Sequence, residues 1–228
     1  MTGKKRVFYT ELCYVLGIII LAFGAALTEL SDLGVSIVIA PAYILHLKLS
    51  QILPWFTFGV AEYVVQGALI LITTIVMRRF KLSYVFSFVT AIIYGAALDC
   101  AMLAVSVLPA DTLAIRIVWY SVGILLSTFA ISLFFHTYIS PEAYELIVKE
   151  IARGFSLDIN KVKMAYDCMS VLLSIVLSFL FFGFGTFRGI GIGTIICAFL
   201  NGFLISRITA FLEKIFVFKN RFDLEKYF

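Results

Sequence analysis

Three carboxylates interrupt apolar stretches of the sequence, at Glu62, Asp99 and Asp167. A carboxylate at the centre of a bilayer costs about 2.5–3.5 kcal/mol, so it generally faces protein or a water-filled cavity. Acids in that setting typically bind a cation, exchange a proton, or do both. Asp99 is the deepest of the three by its position in an apolar run. For Glu62 and Asp167 the alternative is a place near the lipid headgroups or a pairing with a nearby base.

Three further residues add to this chemistry. Gln66 and Asn201 could help to bind a solute, although such side chains more often join helices. Arg188 precedes the stretch "GIGIG", and a helix N-terminus beside a positive charge attracts anions. Because this stretch lacks the lysine of a phosphate-binding loop, its glycines favour close helix packing. The candidate solute or proton site residues are therefore Asp167, Asp99, Glu62, Asn201, Gln66 and Arg188.

The composition is that of a membrane protein. Of the 228 residues, 62% are hydrophobic and 14% are charged, against about 45–50% and about 25% in soluble domains. The net charge of +4 does not indicate nucleic-acid binding, because the basic residues cluster at the ends of apolar runs. The four cysteines form no CxxC pair and the two histidines lie far apart, so we expect no cofactor and no metal. No residue cluster is spaced for catalysis, and we expect no enzyme.

Six stretches are long and apolar enough to cross a bilayer, which takes about 20 residues. They lie near 8–28, 55–77, 83–108, 113–136, 164–184 and 189–212. We therefore predict an all-α integral membrane protein with one membrane domain over 1–228 and a cytoplasmic tail over 213–228. Lysine and arginine are concentrated before the first span, in alternate connections and after the last span. Because basic loops stay in the cytoplasm, we expect both termini to be cytoplasmic.

Two connections contain further structure. The first, Leu33–Pro54, is apolar and contains Pro41, so it either dips into the membrane as a re-entrant segment or lies as a short helix on the outer surface. The second connection precedes the fifth span. Its Pro141 suits the first position of a helix, so we predict a short helix that begins there. Glu145 and Lys149 form an i,i+4 pair on its polar face. We predict that this amphipathic helix lies in the membrane interface and does not re-enter deeply.

The two halves of the chain resemble each other, in the same order. The stretch "IAPAYILHL" resembles "ISPEAYELI", and "VAEYVVQGALIL" resembles "MAYDCMSVLLSI". We therefore predict an inverted repeat of three plus three spans, over 7–110 and 111–212, with a proline-containing short helix or re-entrant segment in each half. Many secondary transporters have such repeats, with the solute site between them near the midplane. The repeat places Glu62 and Asp167 at matching positions.

Four stretches that together cover most of the chain resemble a known family. They are "LSDLGVSIVIAPAYILHL", "AIIYGAALDCAM", "PEAYELIVKEIA" with the following "DINKVKMAYDCMSVLLSIVLSFLFFG", and "GIGIGTIICAFLNG". Together they are similar to the bacterial YczE/YitT-like family of small multi-span membrane proteins. This resemblance implies a transporter in the bacterial inner membrane. It implies no established substrate and no catalytic residue.

These features predict a small secondary transporter or permease in the lipid bilayer. The acids favour a cationic or zwitterionic solute, or proton coupling, with Asp167 and Asp99 serving one shared cavity. Arg188 leaves an anion as the other option. The alternative function is a non-transporting membrane subunit that captures a small molecule for a partner protein, or regulates that partner. Ala22 and Ala26 form a small-residue face for a partner subunit or a second copy, although such faces are usually internal.

Overall fold

The computed structural model describes residues 6–139 and 142–222. Within these ranges the chain forms eight helices and two short strands. They are β1 (Arg6–Tyr9), α1 (Thr10–Leu30), α2 (Ala40–Leu49), α3 (Phe58–Met77), α4 (Leu82–Val105), α5 (Leu113–Phe134), α6 (Ala143–Gly154), α7 (Ile159–Phe182), α8 (Ile192–Ile215) and β2 (Phe216–Lys219). Six of the helices, all except α2 and α6, are long and apolar enough to cross a membrane. The predicted all-α membrane fold is confirmed.

The two ends of the chain differ from the prediction. Helix α8 continues to Ile215 and β2 follows it directly, so the region from 213 to 219 is not a tail; residues 223–228 of the predicted tail lie outside the described part. Phe8, predicted within the first span, belongs to β1, which pairs in parallel with β2. Its ring packs against Phe216 and Phe218, with centroids 5.2 and 6.1 Å apart. Aromatic and β-branched residues in both segments favour strands. These strands define what we call the termini face.

The six long helices cross between the termini face and the opposite face. At the termini face, Lys81 in the α3–α4 connection pairs with Glu150 of α6, with Nζ and Oε1 2.6 Å apart. At the opposite face, the Val35 N–H beyond the end of α1 donates to the Gly189 carbonyl in the α7–α8 connection, at 3.2 Å. Both described ends of the chain therefore lie on one face. That this face is cytoplasmic stays a prediction.

Helix α6 does not lie in the interface, so that prediction is wrong. Its first N–H, from Ala143, donates to Gln66 Oε1 at 3.1 Å. Gln66 lies about 12 Å along the 30 Å helix α3, so α6 begins near the middle of the bundle. At its other end Gly154 contacts Met77, the last residue of α3. The apolar face of α6 is buried against protein because α3, α4 and α7 cover it. The Glu145–Lys149 pair does form, at 4.0 Å.

Helix α2 also begins inside the bundle. The chain turns back after α1, and residues 36–39 line a central cavity before α2 starts. Ala40, Ala42 and Ile44 are at most 1% exposed, and Pro41 occupies the first turn of the helix. The connection 33–54 is therefore re-entrant. Pro141, the matching proline before α6, lies outside the described residues.

The contacts between helices follow the order that an inverted repeat predicts. Exchanging α1–α4 with α5–α8 maps the packing of α1 on α4 onto that of α5 on α8. The same exchange maps α3 on α6 onto α2 on α7, and α2 on α3 onto α6 on α7. Two pairs break the pattern. Helix α4 packs on α3 and on α6, but their counterparts, α8 with α7 and α8 with α2, share at most marginal contacts in the described ranges. The repeat boundaries at 7–110 and 111–212 stay a prediction.

Glu150 fixes α6 to the start of α4, and we expect Glu150→Ala to lower the free energy of unfolding by about 1–3 kcal/mol. Its carboxylate accepts hydrogen bonds from Lys81 Nζ at 2.6 and 2.7 Å and from the Tyr84 hydroxyl at 2.8 Å. Burial raises the pKa of Glu150, but these hydrogen bonds outweigh burial and hold the pKa below its usual value. The stabilisation is thus present above the ordinary carboxyl pKa and is lost as the pH falls through the lowered one.

Thermal unfolding in detergent at neutral and at acidic pH measures this effect. The matched control is Glu145→Ala on the same helix, whose carboxylate is half-exposed and 4.0 Å from Lys149, and which should cost at most about 0.5 kcal/mol. Equal losses in the two variants, or a Glu150→Ala loss that does not shrink in acid, would contradict the assignment.

Candidate solute-binding cavity

A cavity of about 380 Å³ lies in the middle of the helix bundle. Its walls come from α1, α5, α7 and α8, from Tyr94 of α4, and from the segments that begin α2 and α6. The volume is within the range of about 300–1,000 Å³ that is typical of small-molecule sites. Much of the lining is apolar, including Leu21, Ala25, Ile124, Ile131 and Phe134. A small molecule with an apolar body would fit this lining.

Backbone contacts close the cavity toward the opposite face. The Gly193 N–H donates to the Leu33 carbonyl at 2.9 Å, and the Thr194 hydroxyl donates to the Val35 carbonyl at 2.8 Å. A Cβ atom at Gly191 would collide with the Leu33 carbonyl oxygen, so this approach requires glycine. The contacts are of the close-packing type that the "GIGIG" stretch predicts. We call residues 33–35 and 189–194 the seal.

The cavity is open toward the termini face. There the lining side chains of Glu145, Lys163 and Asp167 are 34%, 41% and 34% exposed. Its wall is also incomplete between α7 and α8, since these helices barely touch within the described part of the chain. Solute could therefore reach the cavity from the termini side while the seal blocks the other side.

Charged side chains are concentrated where the cavity approaches the termini face. Lys163 Nζ lies 2.9 Å from Asp167 Oδ1, so these two charges neutralise each other. Glu145 is partly neutralised by Lys149 at 4.0 Å. Glu142, which also lines the cavity, has no basic neighbour at ion-pairing distance in the described ranges. Glu142 in its ionised form would therefore leave an uncompensated negative charge at the wall, which favours a cation.

Behind Glu142 lies a second acid, Glu62, which is 0% exposed. Glu62 Oε2 accepts hydrogen bonds from the Tyr144 hydroxyl at 2.8 Å and from Gln66 Nε2 at 3.4 Å. Oε1 of Glu62 and Oε1 of Glu142 are buried and have no hydrogen-bond partner among the described residues. Burial, reinforced by the charges of Glu62 and Glu145, raises the pKa of Glu142 well above its usual value. The arrangement can hold a proton within reach of the cavity.

The candidate residues from the sequence fall into two groups. Asp167 and Asn201 line the cavity, and Glu62 and Gln66 lie directly behind Glu142. Glu62 and Asp167 do not have equivalent surroundings: Glu62 is fully buried about 6 Å along α3, and Asp167 is half-exposed about 12 Å along α7. Asp167 pairs with Lys163, which is the alternative that the sequence left open.

Asp99 and Arg188 lie away from the cavity. Asp99 accepts hydrogen bonds from the Thr57 hydroxyl at 2.6 Å and from the Gly59 N–H at 2.8 Å, so it caps the N-terminus of α3, where the helix dipole favours an anion. The expectation that Asp99 and Asp167 share a cavity is therefore wrong. Arg188 is exposed at the opposite face, with its guanidinium 5.7 Å from the Phe182 ring centroid.

Glu142 is the functional candidate that sequence reasoning missed. It follows Pro141, and the sequence favoured it only as an acid in the first turn of a surface helix. The signal that could have found it is the repeat, since "IAPA" at the start of α2 matches "ISPE" just before α6. If both short helices begin in the bundle, the acid beside the second proline must also lie there.

The comparisons with known proteins give a family without a function. The model described as "Family of unknown function (DUF6198)" matches residues 8–210. No curated protein matches, and no solved structure matches. The resemblance to the YczE/YitT-like family is not tested by these findings and stays a prediction. Since the match takes in α1 to α7 and most of α8, the chain belongs to DUF6198, a family of unknown function.

Proposed function

We propose that the protein is a small secondary transporter or permease for a small organic cation, working in the bacterial inner membrane. The observation that carries this proposal is the cavity of about 380 Å³, closed at one face and walled by Glu142. Its apolar lining suits the body of a solute, and its acidic side suits a positive charge. The same features predict weak binding of anions.

The inverted order of the helices supports an alternating mechanism. In transporters with inverted repeats, one repeat moves against the other around a fixed midplane site. Here the seal joins the segment before α2, in the first half, to the start of α8, in the second. Breaking these contacts while the termini side closes would expose the cavity to the opposite face. With both termini in the cytoplasm, the observed state faces inward.

Thermal stability of the purified protein against a solute panel tests the binding step. We would use alkylammonium ions from methylammonium to tetraethylammonium, with alkylsulfonates and neutral alcohols of the same sizes as controls. A ligand of the folded state at about 100 times its dissociation constant stabilises by about 2.7 kcal/mol. We expect stabilisation by at least one cation and by none of the matched anions. A flat response to all cations, or a preference for sulfonates, would contradict the proposal.

The non-transporting subunit is not favoured by any specific observation. Its sequence basis was the face of Ala22 and Ala26, and these residues are 1% and 0% exposed within the chain. The face is therefore used in internal packing. If a cation binds the purified protein but is never transported across the membrane of proteoliposomes, the non-transporting subunit becomes the favoured function.

A further inference from the structure

The solute-binding proposal uses Glu142 in the cavity wall but not Glu62, the acid behind it. Each has a buried Oε1 atom with no hydrogen-bond partner in the described ranges. Glu142 lines the cavity and Glu62 does not, so the pair extends from the cavity wall into the bundle. Ala143, the residue after Glu142, donates its N–H to Gln66, and Gln66 donates to Glu62. The two acids are therefore linked through one side chain inside the bundle, where ionising both carboxylates is costly and one proton can serve the pair.

We propose that Glu62 and Glu142 share one proton, and that this proton is exchanged for the cation that enters the cavity. The exchange rests on the proposed function, whereas the shared proton does not. One proton leaves as one monovalent cation binds, so the charge of the occupied site is conserved. The cavity side of Glu142 gives the proton a route to the termini face.

The surroundings of the pair supply hydrogen bonds but little positive charge. The titratable groups that face it are Tyr14 on α1, Tyr94 on α4, Tyr144 and Glu145 on α6, and Tyr166 with the Lys163–Asp167 pair on α7. The lysine is already neutralised, at 2.9 Å from Asp167. The tyrosines are neutral, and Tyr144 donates to Glu62. Among the described residues that face the pair, no free positive charge is left to neutralise the two carboxylates. A bound proton therefore neutralises the pair.

Infrared difference spectroscopy detects this proton without any solute. At neutral pH we expect the purified wild type to show the carbonyl absorption of a protonated carboxylic acid, shifted in deuterium oxide. The absorption should be lost in the double variant Glu62→Gln/Glu142→Gln and kept in Asp111→Asn, which changes an exposed acid outside the cavity. If the double variant fails to fold, Glu142→Gln alone can be measured. It replaces one carboxyl of the pair by an amide of the same shape, so the absorption of the protonated acid should weaken or shift. Absence of the wild-type absorption, or its persistence unchanged in these variants, would overturn the shared proton.

Binding of tetraethylammonium as a function of pH tests the exchange. If one proton is released per cation bound, the affinity for the cation rises with pH. The rise is up to about tenfold per pH unit, as long as the pH is below the midpoint at which the pair loses its proton. The rise should be absent in Glu142→Gln and present in Asp111→Asn, which changes an exposed acid outside the cavity. Affinity that is independent of pH in the wild type would overturn the exchange and leave the proposed function standing. A protonated pair in a protein that binds no cation would instead overturn the proposed function and leave the shared proton standing.

Discussion

Ala198→Trp should abolish the stabilisation of the protein by a bound cation. Ala198 lies in the α8 wall of the cavity, beside Cys197 and three residues before Asn201. An indole at this position would occupy much of a space of about 380 Å³. Because the solute and the indole cannot share that space, we expect the stabilisation of about 2.7 kcal/mol at 100 times the dissociation constant to fall to nearly zero. Thermal unfolding with and without the cation measures the loss.

The neighbouring residue supplies a matched control. Phe199 is 82% exposed on the outer side of α8, so Phe199→Trp adds bulk to the same helix without filling the cavity. We expect this variant to keep the full cation-dependent stabilisation. If Ala198→Trp binds the cation as well as Phe199→Trp does, the cavity is not the solute site.

Gly191→Val should open the seal at the opposite face. A Cβ at this position would collide with the Leu33 carbonyl oxygen, and overpacking of this kind costs about 1–3 kcal/mol. The cost falls on the closed state, so the equilibrium between closed and open states should shift about 5- to 150-fold toward the open state. Gly202→Val is the control, because a Cβ at Gly202 meets nothing within 4 Å.

A native cysteine reports this opening. Cys197 lines the cavity one turn beyond Gly193, and Cys13 is fully buried, while Cys100 and Cys168 are exposed. In a background with Cys100→Ser and Cys168→Ser, a membrane-impermeant thiol reagent is added only at the opposite face of oriented vesicles. We expect slow labelling of the parent and of Gly202→Val, and faster labelling of Gly191→Val. Equal rates in all three would mean that the seal does not control access.

The long helices could be predicted from the sequence because length and hydropathy determine them. The predicted spans overlap all six long helices, with ends displaced by a few residues. At the first span the helix begins two residues later than predicted, because residues 6–9 form a strand. That strand depends on a partner about 210 residues away in the chain, and no local pattern shows such a pairing.

The depth of the short helices could not be predicted, because it depends on tertiary partners. The charges of α6 favoured the interface, but Glu150 is neutralised by Lys81, a residue 69 positions away. Polarity alone therefore overestimated the cost of placing α6 against the bundle. The same reason explains Asp99: the sequence placed it deepest of the three acids, but its carboxylate lies at the N-terminus of α3, which it caps.

The candidate site was predicted in part. Glu62, Gln66, Asp167 and Asn201 are at or directly behind the cavity because polar residues in apolar helices generally face protein. Glu142 was not foreseen, because it lies in a connection between two spans. An acid in a connection at the membrane surface has no desolvation cost, and the sequence did not show that this connection re-enters the bundle.

The most direct test of transport is uptake of radiolabelled tetraethylammonium into proteoliposomes with an imposed proton gradient. If the cavity carries a cation in exchange for a proton, the wild type should accumulate the cation against its own gradient when the lumen is acidic. Ala198→Trp and Glu142→Gln should not accumulate it, and Phe199→Trp should behave as the wild type does. If wild-type vesicles take up no more than protein-free vesicles, although the cation binds the purified protein, the protein is not a transporter of that cation.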